Sequence, residues 1–317
     1  MAQPVKNVML VGASGLFGAH VLHALQSHSP QFTITALTRS SSTASFPASL
    51  NTIPIEDTYP LPDLIAAFTG QDAVILTLPG RPTSELQIRM IDAAVAAGVR
   101  RFVPSMFGNN TSREAGEMVG LYADENLVRE HLRRKSRERH AKGLEGGGFT
   151  YTILHPGQFF DWGLESGWLS FDVKGKKAVV YGSGERRWST STIGTAAEAV
   201  VRCFETKEAR DRELRVASFT VSQNELLGVF ERLTGENWEV GKVDCAEARK
   251  RAREMAEGEY WDRLKMEIMV LLGEDEGGDR GQEFERDSDG LWNERLGLPR
   301  ENLTEVLERV VKKTMIQ

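Results

Sequence analysis

Three glycines lie at fixed spacing near the start of the chain. Gly12, Gly15 and Gly18 follow an apolar run, Val8–Val11, that has the length of a buried strand, and they precede a stretch, 19–27, with helical spacing of apolar residues. In such a unit the first glycine permits a sharp turn, the second lets a pyrophosphate approach the backbone, and the third lets the helix pack closely on the sheet. The turn therefore predicts dinucleotide binding on a parallel α/β sheet.

The predicted phosphate contacts are the backbone groups of this turn and of the first helical turn. Amides at a helix N-terminus point outward, and the helix dipole favours a negative charge there. We therefore add Ser14, Leu16 and Phe17 to the three glycines as cofactor-binding residues. A glycine triplet also suits an ordinary tight turn, but the strand before it and the helix after it favour nucleotide binding.

The end of the second predicted strand indicates which dinucleotide fits. Sites for NAD usually carry Asp or Glu there, whereas this chain has Arg39 and Ser40 after Thr38. An arginine can pair with a 2′-phosphate. We predict NADP(H) as the cofactor, with Arg39 and Ser40 among its contacts; the alternative for Arg39 is a solvated loop charge.

The order of the predicted elements gives the fold class. Strand patterns and helix patterns alternate through the first 155 residues, which favours an α/β protein with a doubly wound parallel Rossmann-type sheet. Strands are predicted at 8–11, 32–37, 51–55, 73–78, 101–104 and 151–154, and helices at 19–27, 62–68, 85–97 and 122–142.

The second half of the chain is less regular and predicts a smaller C-terminal substrate lobe. We expect residues 1–158 to form the NADP(H)-binding domain, 178–220 to return to it, and 159–317 to form mainly the substrate lobe. Strands are expected at 179–181 and 214–216, helices at 195–204, 223–233 and 303–313, and loops at 144–148 and 274–290.

Composition excludes several classes of function. The 317 residues carry a net charge of −6 and no long basic block, which argues against nucleic acid and anionic membranes as partners. The arginine-rich stretches 129–139 and 247–257 are interpreted as solvated helix faces. Two distant cysteines indicate neither a disulfide framework nor a metal site. The cysteine usage fits a reducing cytosol, and no stretch is apolar enough to span a bilayer. We expect a cytoplasmic monomer or homodimer without a metal.

Several longer motifs resemble one family. Residues 97–108, AGVRRFVPSMFG, resemble the "AG-V-RF-PSEFG" run of the NmrA-like and isoflavone reductase-like group of atypical short-chain dehydrogenases, and 149–153, FTYTI, resemble the strand after its catalytic helix. The glycine spacing at 12–18 is also that of the group. Residues 159–163, FFDWG, with 189–192, STST, are similar to fungal members of secondary metabolism.

The resemblance implies NADPH-dependent reduction of aromatic or phenolic substrates, although the family also contains regulators that bind dinucleotide without turnover. It implies that Phe159 stacks near the nicotinamide. We assign Leu78, Pro79 and Gly80, after the fourth strand, and Phe107, in the matched run, to the cofactor site as well.

One departure from the family concerns catalysis. Its reductases carry a lysine on the long helix after the fifth strand, where it relays a proton or acts as a base. Here that position falls on Glu125, or on Asn126 if the alignment shifts by one residue, and Met106 replaces the glutamate of the "PSEFG" run. A carboxylate cannot lower the pKa of a neighbouring phenol as an ammonium does, so the usual relay is in doubt.

Four residues are candidates for the missing catalytic role. Tyr122, Glu125 and Asn126 are three or four residues apart and can share a helix face, and His155 ends the sixth strand. We expect Tyr122 to donate the proton, because Glu125 at its ordinary pKa is ionised and only accepts. The alternatives are a core position for Tyr122, a solvated Glu125 and a structural His155.

These observations favour an NADPH-dependent oxidoreductase that acts on an aromatic, phenolic or polyketide-like small molecule. Trp162 and Trp168, shortly after Phe159, suit a flat aromatic substrate but equally suit the core of the lobe. The missing lysine keeps two alternatives open: a dinucleotide-sensing regulator without turnover, and a non-redox isomerase or dehydratase on the same scaffold.

Overall fold

A computed structural model describes residues 4–28, 31–78, 83–110, 113–141, 148–275 and 281–316. The strands within these ranges are, in chain order, β1 (Asn7–Val11), β2 (Thr33–Arg39), β3 (Asn51–Ile55), β4 (Ala73–Leu76), β5 (Arg101–Val103), β6 (Thr150–His155), β7 (Gln158–Phe159), β8 (Phe171–Asp172), β9 (Lys177–Tyr181), β10 (Arg187–Ser191), β11 (Arg212–Arg215), β12 (Phe219–Ser222) and β13 (Glu239–Val243).

The helices of the same ranges are α1 (Leu16–Ser27), α2 (Leu61–Phe68), α3 (Ser84–Ala96), α4 (Arg113–Met118), α5 (Gly120–Ala141), α6 (Phe160–Glu165), α7 (Ile193–Arg202), α8 (Gln223–Thr234), α9 (Cys245–Glu254), α10 (Tyr260–Gly273) and α11 (Leu303–Ile316).

Seven strands form one parallel sheet in the order β11-β6-β5-β4-β1-β2-β3. The strand order reverses between β1 and β4, which opens a crevice at the carboxyl ends of these strands, where ligands of such sheets bind. Alternate residues of β1 enter opposite cores: Leu10 packs with α1 and α7, and Met9 packs with α2, α3 and α5. This arrangement confirms the predicted doubly wound α/β fold.

The smaller part of the molecule contains two three-stranded sheets, ordered β12-β10-β7 and β13-β9-β8. They share an apolar core with α8, α10 and α11 that includes Phe171, Trp188 and Phe230. Within 178–220, β11 is a strand of the large sheet and α7 packs against one face of it. Strand β9, most of which falls in the same range, instead pairs with β13 in a three-stranded sheet.

Strand β13 and helix α10 were not predicted. The stretch 247–257 was interpreted as a solvated helix face; most of it belongs to α9, but Ala248 and Ala252 of that helix are buried. The predicted loop 274–290 holds a short 3-10 turn at Phe284–Arg286. Residues 144–147 and 276–280 of the two predicted loops lie outside the described residues.

Two glycines of the N-terminal turn are required by close backbone packing. Gly12 has a φ of +87°, and a Cβ there would lie 2.4 Å from the carbonyl oxygen of Thr77. A Cβ on Gly18 would lie 2.1 Å from the carbonyl oxygen of Gly12. Both distances are far inside van der Waals contact, so these glycines hold α1 against β1 and β4.

We expect Gly18→Ala to lower the free energy of unfolding by about 1–3 kcal/mol, because the new methyl group must push backbone apart. Gly194→Ala in α7 is the matched control, since no described atom lies within 4 Å of its added Cβ. The control should be neutral or should stabilise by up to about 1 kcal/mol through helix propensity. Urea denaturation measures both; equal effects would contradict the packing argument.

Candidate functional site

The N-terminus of α1 has the properties of an anion-binding site. Gly15 is the N-cap residue, with φ −71° and ψ 168°, and no described side chain caps the helix. The first turn contains no acidic residue. The first amides of a helix have no partner within it, so here they remain available to a negatively charged group. The exposed Ser14 lies beside them. These residues fit a dinucleotide pyrophosphate.

The end of β2 carries one feature that the sequence did not predict. Arg39 is 53% exposed, and its Nη1 lies 3.9 Å from Oδ2 of Asp57. The Asp57 carboxylate also accepts hydrogen bonds from the hydroxyl and the backbone N–H of Ser41, and these lower the pKa of Asp57. Ser40 donates its N–H and its hydroxyl to the carbonyl of Ile55. An acid therefore does stand near the end of β2, supplied by the loop after β3.

A cavity of about 720 Å³ extends from the N-terminus of α1 across the ends of the central strands into the smaller part of the molecule. It brings together five predicted cofactor-binding residues: Leu16, Phe17, Leu78, Phe107 and Phe159. Pro79 and Gly80 lie outside the described residues.

Three phenylalanines form an aromatic wall along the cavity near the N-terminus of α1. The ring centroid of Phe17 lies 4.5 Å from that of Phe107 and 4.8 Å from that of Phe159, with which it stacks at 23°. Such clusters are apolar and exclude water. The three rings therefore give this part of the cavity an apolar surface.

Two tryptophans line the far end of the cavity. The ring centroids of Trp162 and Trp168 lie 6.0 Å apart, and both rings are partly exposed. The Trp168 Nε1–H donates to Oε1 of Gln158 at 2.8 Å, which fixes the orientation of the indole. Both residues thus face open space rather than only the core of the lobe.

Tyr122 borders the same cavity and is almost fully buried. Its hydroxyl donates to Oδ1 of Asn109 at 3.2 Å. Burial, with the nearby charge of Glu125, raises the pKa of Tyr122 well above its usual value. The phenol proton is therefore both engaged in a hydrogen bond and held tightly.

Glu125 also lines the cavity, and the structure corrects what was expected of it. The residue is 8% exposed, and its carboxyl has no hydrogen bond or ion pair with any described residue. Burial raises the pKa of Glu125 to about 8, with Asp124 adding to the rise and Arg129 opposing it. Glu125 is therefore a neutral acid near pH 7, whereas we had expected a carboxylate.

The other two catalytic candidates do not reach the cavity. Asn126 borders a separate polar pocket, where its amide oxygen accepts a hydrogen bond from Arg129. His155 is fully buried, with Nδ1 3.0 Å from the carbonyl oxygen of Asn109 and Nε2 3.0 Å from Oε2 of Glu213. Because both ring nitrogens have protein partners, the structure gives His155 a structural position.

A buried polar network around Asn109 links Tyr122 and His155, and no sequence pattern predicted it. The Oδ1 atom of Asn109 accepts from Tyr122 and from Nε2 of Gln158, and its Nδ2 donates to Gln282 at 2.9 Å. Gln282 comes from a segment far along the chain, so no local pattern indicates the pairing. Gln158 bonds to the indole of Trp168 and to Asn109, and Asn109 bonds to the hydroxyl of Tyr122. The network therefore holds both aromatic side chains in place.

Glu213 connects the network to two arginines. Burial alone would raise the pKa of Glu213, but the hydrogen bond from His155 and the charges of Arg129 and Arg133 outweigh it and lower the pKa to about 2. Nε of Arg129 and Nη2 of Arg133 each lie 3.0 Å from Oε1 of Glu213. Glu213 is thus an ionised structural acid, unlike Glu125.

Lys265 lines the cavity and was not identified by the sequence analysis. It extends from α10, and its Nζ donates to the carbonyl oxygen of Gly167 at 2.7 Å. Burial lowers the pKa of Lys265, while Asp262 opposes that shift. A cation on α10 therefore borders the tryptophan end of the cavity.

A family model described as NAD(P)H-binding matches residues 12–207. The oxidoreductase aprR of Aspergillus flavus is 33% identical over 310 residues, which cover 96% of this chain and 99% of that protein. The chain belongs to the NmrA-like and isoflavone reductase-like family. The resemblance predicted from the motifs is therefore confirmed.

Two solved structures share the fold. An isoflavone reductase superposes with a TM-score of 0.73 at 20% identity, covering 96% of this chain and 98% of that chain. The triphenylmethane reductase of Citrobacter sp., complexed with NADP(H), gives a TM-score of 0.71 at 17% identity, covering 97% and 99%. The chain thus has the nicotinamide dinucleotide-binding domain and the fold of this family of oxidoreductases. Its described helices include none with the length and hydropathy needed to cross a membrane.

We expect Glu213→Gln to lower the free energy of unfolding by about 3 kcal/mol, because it removes the carboxylate that pairs with the buried Arg129. The folded-state pKa of about 2 lies below the usual glutamate value of 4.5, so the contribution of Glu213 is present above pH 4.5 and is lost as pH falls towards 2. The variant should therefore lose less stability than the wild type over that interval.

Chemical denaturation between pH 3 and pH 7 provides the measurement. Glu130→Gln on α5 is the control, because Glu130 is 66% exposed and pairs with Arg133 at the surface. It should change stability by less than about 0.5 kcal/mol. Equal effects of the two substitutions would show that the buried network does not hold the fold together.

Proposed function

We propose that this chain is an NADPH-dependent reductase of an aromatic, phenolic or polyketide-like small molecule. The observation that carries the proposal is the continuity of one cavity. The cavity joins the uncapped N-terminus of α1, which fits a pyrophosphate, to the tryptophans Trp162 and Trp168, which fit a flat aromatic ring.

The parts of the chain have separate tasks in this proposal. Residues 1–158, with the returning α7 and β11, hold the dinucleotide, and 159–317 mainly hold the substrate. When bound, the reduced nicotinamide supplies hydride. Phe17, Phe107 and Phe159 exclude water between the two ligands. We further propose that the reductase acts in the cytoplasm, as a monomer or homodimer.

The named relatives support this substrate class. Isoflavones and triphenylmethanes each carry more than one aromatic ring, and the triphenylmethane reductase was solved with NADP(H). The wall of the cavity in this chain offers aromatic rings of the same character, together with the cationic Lys265. Lys265 suits a substrate that carries a phenolic or carboxylic oxygen.

One observation favours a second candidate, a dinucleotide-sensing regulator without turnover. The stretch 121–130 contains no lysine, so the proton relay of the family reductases is missing. A regulator, however, has no need of a substrate cavity lined by tryptophans and an unpaired acid. Turnover distinguishes the two: the purified chain is incubated with NADPH and a library of aromatic compounds, and products are detected by mass. Binding of NADPH without any product would favour the regulator.

We expect NADP(H) to bind at least tenfold more tightly than NAD(H), which corresponds to about 1.4 kcal/mol. Arg39 supplies the charge for the 2′-phosphate, whereas the nearby Asp57 repels it. Arg39→Ala should therefore weaken NADP(H) binding, and Asp57→Asn should strengthen it, with little change for NAD(H) in the first variant. Titration calorimetry of the wild type and both variants with each dinucleotide measures the six affinities. An unchanged NADP(H) to NAD(H) ratio in Arg39→Ala would contradict the assignment.

We expect Gly15→Val to abolish dinucleotide binding while leaving the fold intact. Gly15 already has φ and ψ angles that other residues adopt, so valine causes no backbone strain there, but its side chain stands at the end of α1. Calorimetric titration with NADPH tests binding, and circular dichroism tests folding. Normal NADPH binding by a folded Gly15→Val variant would place the nucleotide elsewhere.

A further inference from the structure

Glu125 presents a carboxyl to the cavity, and no residue that the structure describes pairs with it. It is 8% exposed and has no hydrogen bond or ion pair with any described residue. A buried acid without a partner destabilises the fold when it is ionised, because the charged form loses its hydration and gains no compensating interaction. One turn away, the hydroxyl of Tyr122 is already directed to Asn109. Glu125 is thus the acid of this helix that remains available to a ligand.

The charges around Glu125 come from two helices. On α5, Asp124 and Arg129 act in opposite directions; on α10, Asp262 and Lys265 border the same cavity, and Glu267 lies close enough to Tyr122 to raise its pKa. Burial outweighs these charges and raises the pKa of Glu125 to about 8. At pH 7 the side chain is therefore mostly a neutral acid that can donate a proton.

We propose that Glu125 is the catalytic proton donor of this chain and that the substrate is an aryl ketone whose oxygen receives the proton. This inference rests on the reductase function proposed above. The aromatic part of the ketone would lie against Trp162 and Trp168, and the carbonyl would face Glu125.

The reaction balances with the dinucleotide as reductant. Hydride transfer from the reduced nicotinamide forms a C–H bond at the carbonyl carbon, and the C=O π bond breaks. The electron pair of that bond forms an O–H bond with the proton of Glu125. The products are an alcohol, an oxidised dinucleotide and the Glu125 carboxylate, which takes a proton from water through the open cavity. Arg129 stabilises the transient carboxylate.

This assignment reverses the order expected from the sequence. Tyr122 was placed first because Glu125 was assumed to be ionised, and burial removes that assumption. Tyr122 is instead a positioning residue, because its hydroxyl is bonded to Asn109 and its pKa is raised well above the usual value. A neutral acid also cannot remove a proton from a phenol. Substrates that need such activation, including phenolic benzylic ethers, should not react.

The first test needs neither cofactor nor turnover. Infrared difference spectra of the full chain, recorded between pH 6 and pH 10, should contain the C=O band of a carboxylic acid that disappears with a midpoint near pH 8. The band should be absent from Glu125→Gln and unchanged in the control Glu130→Gln. Carbon-13 NMR of the wild type with labelled glutamate carboxyls gives the same midpoint independently, in case Glu125→Gln does not fold.

The second test measures binding and turnover of two probes, acetophenone and benzophenone. Quenching of tryptophan fluorescence without cofactor should show binding that weakens above pH 8 in the wild type but not in Glu125→Gln. With NADPH, kcat/KM should fall as pH rises through about 8, because the acid form is lost. Glu125→Gln should lower kcat by roughly 10²–10⁴-fold, and Tyr122→Phe by less.

The outcomes separate this inference from the proposed function. Reduction of aromatic compounds by a protein whose Glu125 is ionised at pH 6 would overturn the inference and keep the reductase. A protonated Glu125 that binds both ketones without NADPH oxidation would reject the reductase, and with it the role of Glu125 as a proton donor. Turnover of ketones at full rate by a folded Glu125→Gln variant would also overturn the inference.

Discussion

The close approach of Gly18 to Gly12 is the constraint on which the site depends. It holds α1 against the sheet so that the N-terminus of the helix opens at the carboxyl ends of β1 and β4, where the strand order reverses. A wider separation would move Leu16 and Phe17 away from Phe107 and Phe159, and the aromatic wall of the cavity would open. Cofactor site and substrate cavity therefore depend on the same backbone contact.

Local patterns sufficed for the large sheet because parallel strands and their helices have their own periodicities. They did not indicate that α9 buries Ala248 and Ala252, because charged residues surround both alanines in the sequence, and they did not predict α10. They also failed wherever a contact joins distant segments. Asp57 reaches the end of β2 only because Arg39 pairs in register with Ile55, and Gln282 meets Asn109 across 173 residues. The spacing of residues in the sequence does not indicate either of these two contacts.

The catalytic candidates show the same limit at the level of single side chains. Tyr122, Glu125 and Asn126 share one helical stretch, yet the cavity reaches only the first two, and Asn126 faces Arg129. His155, at the end of the sixth strand, and Glu125, on the long helix, were both candidates for the catalytic role. The structure gives His155 two protein partners and gives Glu125 none among the described residues. The identity of a residue indicates what chemistry it can perform, but its partners decide whether that chemistry is available.

The unpaired state of Glu125 has a thermodynamic consequence for the whole fold. Its folded-state pKa of about 8 lies above the usual glutamate value of 4.5, so the folded chain binds the proton more tightly than the unfolded chain. Stability associated with this group therefore decreases as pH rises from about 4.5 to about 8. A glutamine of the same shape would avoid this loss. Glu213 is a partly buried acid of the same chain that does have cationic partners, Arg129 and Arg133. Packing alone does not explain an acid at position 125, whereas donation of a proton to a ligand does.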